Sequence, residues 1–141
     1  MKNPLFSRSA KKAAEGEERE LYSEFGFRST LEAECADGKK HAVVIRGSID
    51  LIFKNEDDSA FKYTIVDYKT DRAVKKEKYL PQLSCYRAAA ADIFGVKEEE
   101  IRCVLYFLRY GQEIDVSQEC SKEKASAELS RVLASISKND L

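Results

Sequence analysis

Two short segments concentrate the chemistry of this chain, Arg46-Gly47-Ser48-Ile49-Asp50 and Val66-Asp67-Tyr68-Lys69-Thr70. Each sets an acidic residue in or at the end of an apolar run with the composition of a β-strand. A carboxylate buried in such a run is costly unless a metal or a cation compensates it. Hard divalent cations take oxygen ligands, commonly one or two carboxylates completed by water and substrate phosphate. Such an ion lowers the pKa of its water and stabilises charge on a phosphoryl oxygen. A nearby lysine can orient that water or neutralise charge in the transition state. The pattern therefore points to a divalent-metal hydrolytic site. An Asp-x-Lys pair is common at strand ends; the acid on the preceding strand gives this one weight.

Strand geometry places residues i and i+2 on one face, so Asp67 and Lys69 point the same way and Tyr68 points oppositely. A turn near 56–59 would pair the neighbourhood of Asp50 with that of Asp67, bringing both acids and the lysine to one end of a sheet. Gln82 and Tyr86 follow, four residues apart and so on one face of a helix. Gln82 could hydrogen-bond the nucleophilic water, the lysine or a phosphate, and Tyr86 could stack on a base or contact the backbone.

The elements that must position these residues are legible in outline. Residues 7–20 are rich in Ala, Lys, Glu and Arg and read as a polar peripheral helix with little apolar stripe. Residues 21–35 read as a strand, Asp37-Gly38 as a hairpin turn, 41–53 as a long second strand, 55–59 as a polar turn and 61–69 as a third strand. These make an antiparallel meander. A helix over 79–94 carries Leu83, Tyr86, Ala90 and Ile93 at helical spacing, with Pro81 in its first turn and Gly95 as its stop. The apolar run 101–110 reads as a buried strand, 113–116 as a short edge strand. The final amphipathic helix, 117–136, has Ala125, Leu129, Val132, Leu133 and Ile136 on one face. The expected fold class is α/β (α+β): a mixed sheet of a three-strand antiparallel meander plus a further strand, flanked by helices.

At 141 residues the chain suits a single domain, with a peripheral segment 1–20, a core 21–116 and a C-terminal helix 117–141. Its 43% hydrophobic and 35% charged content reads as globular, not disordered. No apolar run approaches the roughly 18 residues of a membrane helix, and the N-terminus lacks a signal-peptide core, so a cytoplasmic location is expected. Cys35, Cys85, Cys103 and Cys120 are too dispersed for a zinc or iron–sulfur motif and read as buried free thiols. His41 is the only histidine, which excludes a multi-histidine metal site. A net charge of −1 is unlike a stand-alone nucleic-acid binder, whose affinity rests on phosphate contacts. There is no G-x4-G-K-[ST] phosphate loop, so ATP dependence cannot come from this chain.

Taken in order, Gly47-Ser48-Ile49-Asp50, Val66-Asp67-Tyr68-Lys69-Thr70 and Gln82-Leu83-Ser84-Cys85-Tyr86 resemble the nuclease domain of the RecB-like branch of the PD-(D/E)XK superfamily. They are most similar to the C-terminal nuclease domain of AddA subunits of bacterial AddAB helicase–nucleases. The resemblance spans roughly residues 20–116. It implies a restriction-endonuclease-like core and Mg²⁺-dependent (Mn²⁺ as substitute) phosphodiester hydrolysis of DNA, expected to be exonucleolytic, in double-strand-break repair and recombination. By the same resemblance Asp50 and Asp67 match the metal-binding acids, with the Tyr68 carbonyl completing the shell, and Lys69 matches the catalytic lysine. Gln82 and Tyr86 match a Q-x3-Y motif that organises the site and the DNA end, while Arg46 and Thr70 are supporting DNA contacts. The implied partners are DNA, a helicase domain of the same polypeptide and a second nuclease subunit of AddB type, with no membrane. The alternative is a catalytically silent scaffold that binds DNA or a partner subunit.

One family feature has no match. A further ligand, often His or Glu on a helix before the first strand, would fall near 7–20, where there is no histidine. Glu15, Glu17, Glu18 and Glu20 lack the motif's context, and Glu24 at the start of the first strand is another candidate acid. The chain is accordingly expected to be a piece of a larger helicase–nuclease, weakly active or inactive alone.

Overall fold

The computed structural model describes Ala10 and residues 20–34, 38–56 and 60–139, with side chains through 134. The expected polar helix over 7–20, apart from Ala10 and Glu20, lies outside the described residues, as do Cys35 and Asp37.

Five strands form one mixed sheet in sequence order: β1 (Leu21–Glu34), β2 (Lys40–Lys54), β3 (Tyr63–Lys69), β4 (Ile101–Phe107) and β5 (Gln112–Asp115). β1, β2 and β3 are the antiparallel meander that the turn signals foretold. Gly38, at φ +77°, supplies the left-handed conformation between the first two strands. Asn55 braces the next connection: its side chain donates to Phe61 O at 3.0 Å and accepts from Thr64 Oγ1 at 2.8 Å. β4 runs parallel to β3, reached through helix α1 (Leu80–Phe94), and β5 returns antiparallel along β4. Helix α2 (Lys122–Asn139) closes the chain.

α1 begins and ends where its sequence says it should. Pro81 occupies the first turn, where no intrahelical N–H is lost. Gly95 caps the other end at φ +67°, its N–H donating to Ala91 O. Leu80, Leu83 and Ala89–Ala91 bury against Ile49, Ile52, Ile65, Leu105 and Phe107 on one face of the sheet. The opposite face gathers Leu51, Phe53, Val66, Val104 and Tyr106 around Ala10. α2 packs on α1 and the distal half of the β1–β2 hairpin through Cys85, Ala125, Leu129, Leu31 and Val43. Cys85, Cys103 and Cys120 are buried free thiols, as expected. Among the described residues no helix is long and apolar enough to cross a membrane.

Three expectations are corrected. β4 ends at Phe107, not at residue 110, because Leu108 N–H closes onto Lys69 O at 2.9 Å and the chain then turns through Gly111 at φ +58°. The last helix starts at Lys122, not at 117. Ser117–Ser121 is held as a turn instead: Ser117 Oγ accepts from Cys103 N at 2.8 Å, and the buried Arg87 guanidinium donates to Ser117 O (2.8 Å) and Cys120 O (3.0 Å). The helical stripes are also narrower than the spacing implied, since Ile93 and Val132 stand exposed.

The meander carries one irregularity that matters for the site. The β1–β2 ladder pairs Ser23 with Leu51 and Phe25 with Ile49, skipping Glu24 and Asp50 between them. Glu24 takes φ +49°, unusual for a residue with a side chain. Strict alternation would put residues 49, 51 and 53 on one face. Instead Ile49 and Ile52 share the helix-side core, whereas Leu51 and Phe53 sit on the other face. The register is the same on both sides of this gap, so no residue is inserted; the two strands part at this one pair, and the alternation of faces breaks there.

Candidate active site

Asp50 sits at this gap in the β1–β2 ladder, where β2 and β3 also part company. Their ladder stops at Leu51↔Val66. Beyond it, Asp50 Oδ2 accepts the Tyr68 N–H at 2.9 Å, a role a strand carbonyl would otherwise fill. The carboxylate is thereby fixed beside β3. Asp67 shares a side-chain hydrogen bond with Asp50, so the two acids predicted to converge do so.

Asp67 is 9% exposed, at the end of an apolar strand. Burial, reinforced by the hydrogen bond to Asp50, pushes its carboxyl up to about 6, and Lys69 only partly offsets this. Lys69 Nζ lies 3.0 Å from Asp67 Oδ2, on the same face as the i, i+2 spacing requires. The ammonium also sits over the Tyr79 ring, 4.1 Å from its centroid. Tyr79 in turn donates its hydroxyl to Asp71. Lysine, aromatic ring and carboxylate therefore form a brace across the loop that follows β3.

α1 lies over this end of the sheet. Gln82 Nε2 donates to Tyr86 OH at 3.1 Å, which leaves the phenolic proton available for another acceptor. Burial and then the charge of Asp67 push the Tyr86 phenol up, so it remains a donor. The Tyr86 ring packs edge-on against Phe27, 5.3 Å between centroids at 82°. Gly47 makes that packing possible: a Cβ there would fall 2.9 Å from Phe27 Cζ and 3.0 Å from Tyr86 Cε1. The glycine of the Gly47–Asp50 segment thus serves the helix above it, not a turn.

Asp50, Asp67, Lys69, Gln82 and Tyr86 therefore gather at one end of the sheet. The remaining sequence candidates divide. Thr70 follows Lys69 directly and uses its carbonyl to accept from Arg109 Nε at 2.7 Å. Arg46 does not join the group: it is exposed on β2 opposite Arg28, and Ile45, Gly47 and Ile49 are the residues of that stretch that face inward. Glu20 is bound to Lys54 at 3.3 Å. Glu24 stands opposite Asp50 in the register but points to solvent. Glu15, Glu17 and Glu18 lie outside the described residues. Tyr79 and Phe27 were not singled out from sequence. Tyr79 braces Lys69 from ten positions away, a separation with no periodic signature.

Among the described residues no cluster of three or more His, Cys, Asp or Glu forms. The donor set is two touching carboxylates at a strand end. Burial, and then the hydrogen bond to Asp50, raise the Asp67 carboxyl further than Lys69 lowers it. A hard divalent cation fits that imbalance and that oxygen chemistry.

The sequence model of a family described as the PD-(D/E)XK nuclease superfamily matches residues 3–139. No curated protein matches the chain.

Proposed function

The chain belongs to the PD-(D/E)XK nuclease superfamily, and from that premise we propose that it hydrolyses DNA phosphodiester bonds with Mg²⁺, or Mn²⁺ in its place, at the Asp50–Asp67–Lys69 end of the sheet. The single observation that carries this reading is the contact between Asp50 and Asp67 with Lys69 at 3.0 Å. Asp50, Asp67 and the Tyr68 carbonyl would hold the metal, which when bound activates water and stabilises charge on the phosphate. Lys69, held by Asp67 and by the Tyr79 ring, presents a cation where charge develops on the phosphoryl oxygens. Tyr86 offers a hydroxyl proton to a phosphate or to water, its oxygen already occupied by Gln82. In this reading Thr70 and Arg46 would contact DNA outside the metal site.

The finer context rests on the likeness of the three motifs to AddA nuclease domains. In this reading the chain is the exonuclease domain of a cytoplasmic helicase–nuclease serving double-strand-break repair and recombination. A helicase domain of the same polypeptide and a subunit of AddB type would be its partners. Reading the native gene upstream of Met1 tests that context: a helicase reading frame continuous with this one is expected, and a stop codon there overturns it.

The activity itself is tested with end-labelled linear DNA, with Mg²⁺ or Mn²⁺ and with a chelator. Metal-dependent shortening is expected, abolished by Asp67→Ala and by Lys69→Ala. Cleavage that survives both substitutions overturns the assignment. Mn²⁺ titration by calorimetry gives a readout independent of turnover. Binding lost in Asp50→Ala and Asp67→Ala is expected, and its absence in the unaltered chain would instead favour a silent scaffold.

A further inference from the structure

The segment between Lys69 and α1 concentrates positive charge in a chain that is otherwise balanced. Residues 69–78 hold five basic side chains (Lys69, Arg72, Lys75, Lys76, Lys78) against two acids (Asp71, Glu77), although the whole chain is at −1. Lys76 is committed to Glu119 at 2.7 Å and Lys78 lies 3.7 Å from Asp71. Arg72, Lys75 and Arg109 are exposed and have no carboxylate partner among the described residues.

The turn after β4 is stitched onto this segment by three bonds. Leu108 N–H donates to Lys69 O (2.9 Å), Arg109 Nε donates to Thr70 O (2.7 Å), and the Tyr110 hydroxyl donates to Arg72 O. Tyr110 is nevertheless 55% exposed and Leu108 is 47% exposed. An aromatic ring tethered by its hydroxyl while its body faces water is a fixed platform, not a loose side chain. Tyr110 follows β4, whose last residue Phe107 pairs with Lys69, so it lies at the same end of the sheet as Lys69.

We infer that the 70–78 loop and the 108–111 turn together form a binding surface for single-stranded nucleic acid, with Arg72, Lys75 and Arg109 on the phosphates and Tyr110 stacked on a base. This inference rests on the nuclease reading for its purpose but not for its chemistry. Basic side chains interleaved with an exposed aromatic ring are what binds a flexible strand without reading its sequence. A duplex matches the charge but hides its base faces within the stack, so the ring selects for a single strand. The surface would deliver a strand end to Lys69 and make unpaired DNA the preferred substrate.

The test is fluorescence anisotropy of labelled oligo(dT) and of a duplex of equal length, with the metal chelated so that nothing is cleaved. Tyr110→Ala is expected to weaken oligo(dT) binding roughly 5- to 100-fold and to leave duplex binding within about twofold. Tyr110→Phe, which keeps the stacking face and loses only the hydroxyl tether, is expected to bind between Tyr110→Ala and the unaltered chain. Arg72→Glu with Lys75→Glu should weaken both ligands and flatten the salt dependence. Circular dichroism on each variant separates these effects from unfolding. Unchanged oligo(dT) binding in Tyr110→Ala overturns the inference. So does failure of the unaltered chain to bind oligo(dT), or competition by polyglutamate as strong as by oligo(dT), which would mark a site for an acidic protein. Because oligo(dT) binding is read in chelator through Tyr110→Ala and cleavage is read with metal through Asp67→Ala, loss of the platform and loss of cleavage report on the two readings separately.

Discussion

Asp67 carries its charge against its surroundings, and the consequence is measurable. Its carboxyl titrates near 6 when folded, against 3.8 as the ordinary value. The folded state therefore binds this proton more tightly than the unfolded chain, and stability falls as pH rises from about 4 to about 6. Above that window the deficit is complete. Two pKa units correspond to roughly 3 kcal/mol, and on the order of 2 kcal/mol is a fair expectation after solvent screening. Asp67→Asn in chelator should raise the unfolding free energy measured in urea at pH 8 by that amount and give no gain at pH 4, while cleavage assayed with metal drops at least ~100-fold. A lower unfolding free energy at pH 8 would show the charge to be stabilising and the argument wrong. Mn²⁺ affinity should climb with pH up to about 6 and then level, since the ligand must be ionised. Tyr79 is the second residue-scale case. Removing its ring in Tyr79→Leu takes away the surface on which Lys69 rests. Turnover should fall about 10-fold with Mn²⁺ affinity unchanged, because the ring touches the lysine and not the acids.

At the level of elements, the site depends on where the ladders of β2 open and on how closely α1 approaches it. Where the ladder opens at Glu24 and Asp50, the Asp50 carboxylate takes the Tyr68 N–H of β3. Gly47 lets Phe27 and Tyr86 meet under the helix. Gly47→Ala must displace one of those rings, and overpacking of this kind costs about 1–3 kcal/mol. Thermal unfolding should record that loss. Cleavage should fall further than stability accounts for when Tyr86 is the ring that moves. Full activity in a stable Gly47→Ala protein would show that Phe27 gives way instead.

For the whole molecule, Arg87 ties together parts of the chain that are distant in sequence. Its guanidinium, buried on α1, donates to Ile101 O at 3.0 Å and to the carbonyls of Ser117 and Cys120. Arg87→Met leaves three carbonyls without that donor, and a loss of about 3–5 kcal/mol is expected by urea unfolding. Cleavage per folded molecule should be preserved, since Arg87 lies in none of the site's contacts. The sequence by itself determined the five strands in order, α1 with its Pro81 and Gly95 ends, and the convergence of Asp50, Asp67 and Lys69, because strand alternation and hairpin turns are local rules. It also determined Gln82 and Tyr86 as one helical face. Only the tertiary structure decided the opening of the strand ladder at Asp50, the start of α2 at Lys122, the brace of Tyr79 on Lys69 and the exposure of Arg46. These follow from strand divergence, a buried guanidinium capping carbonyls and contacts between distant segments. No periodicity along the chain encodes such contacts, because they are set by which surfaces the folded sheet and helices bring together.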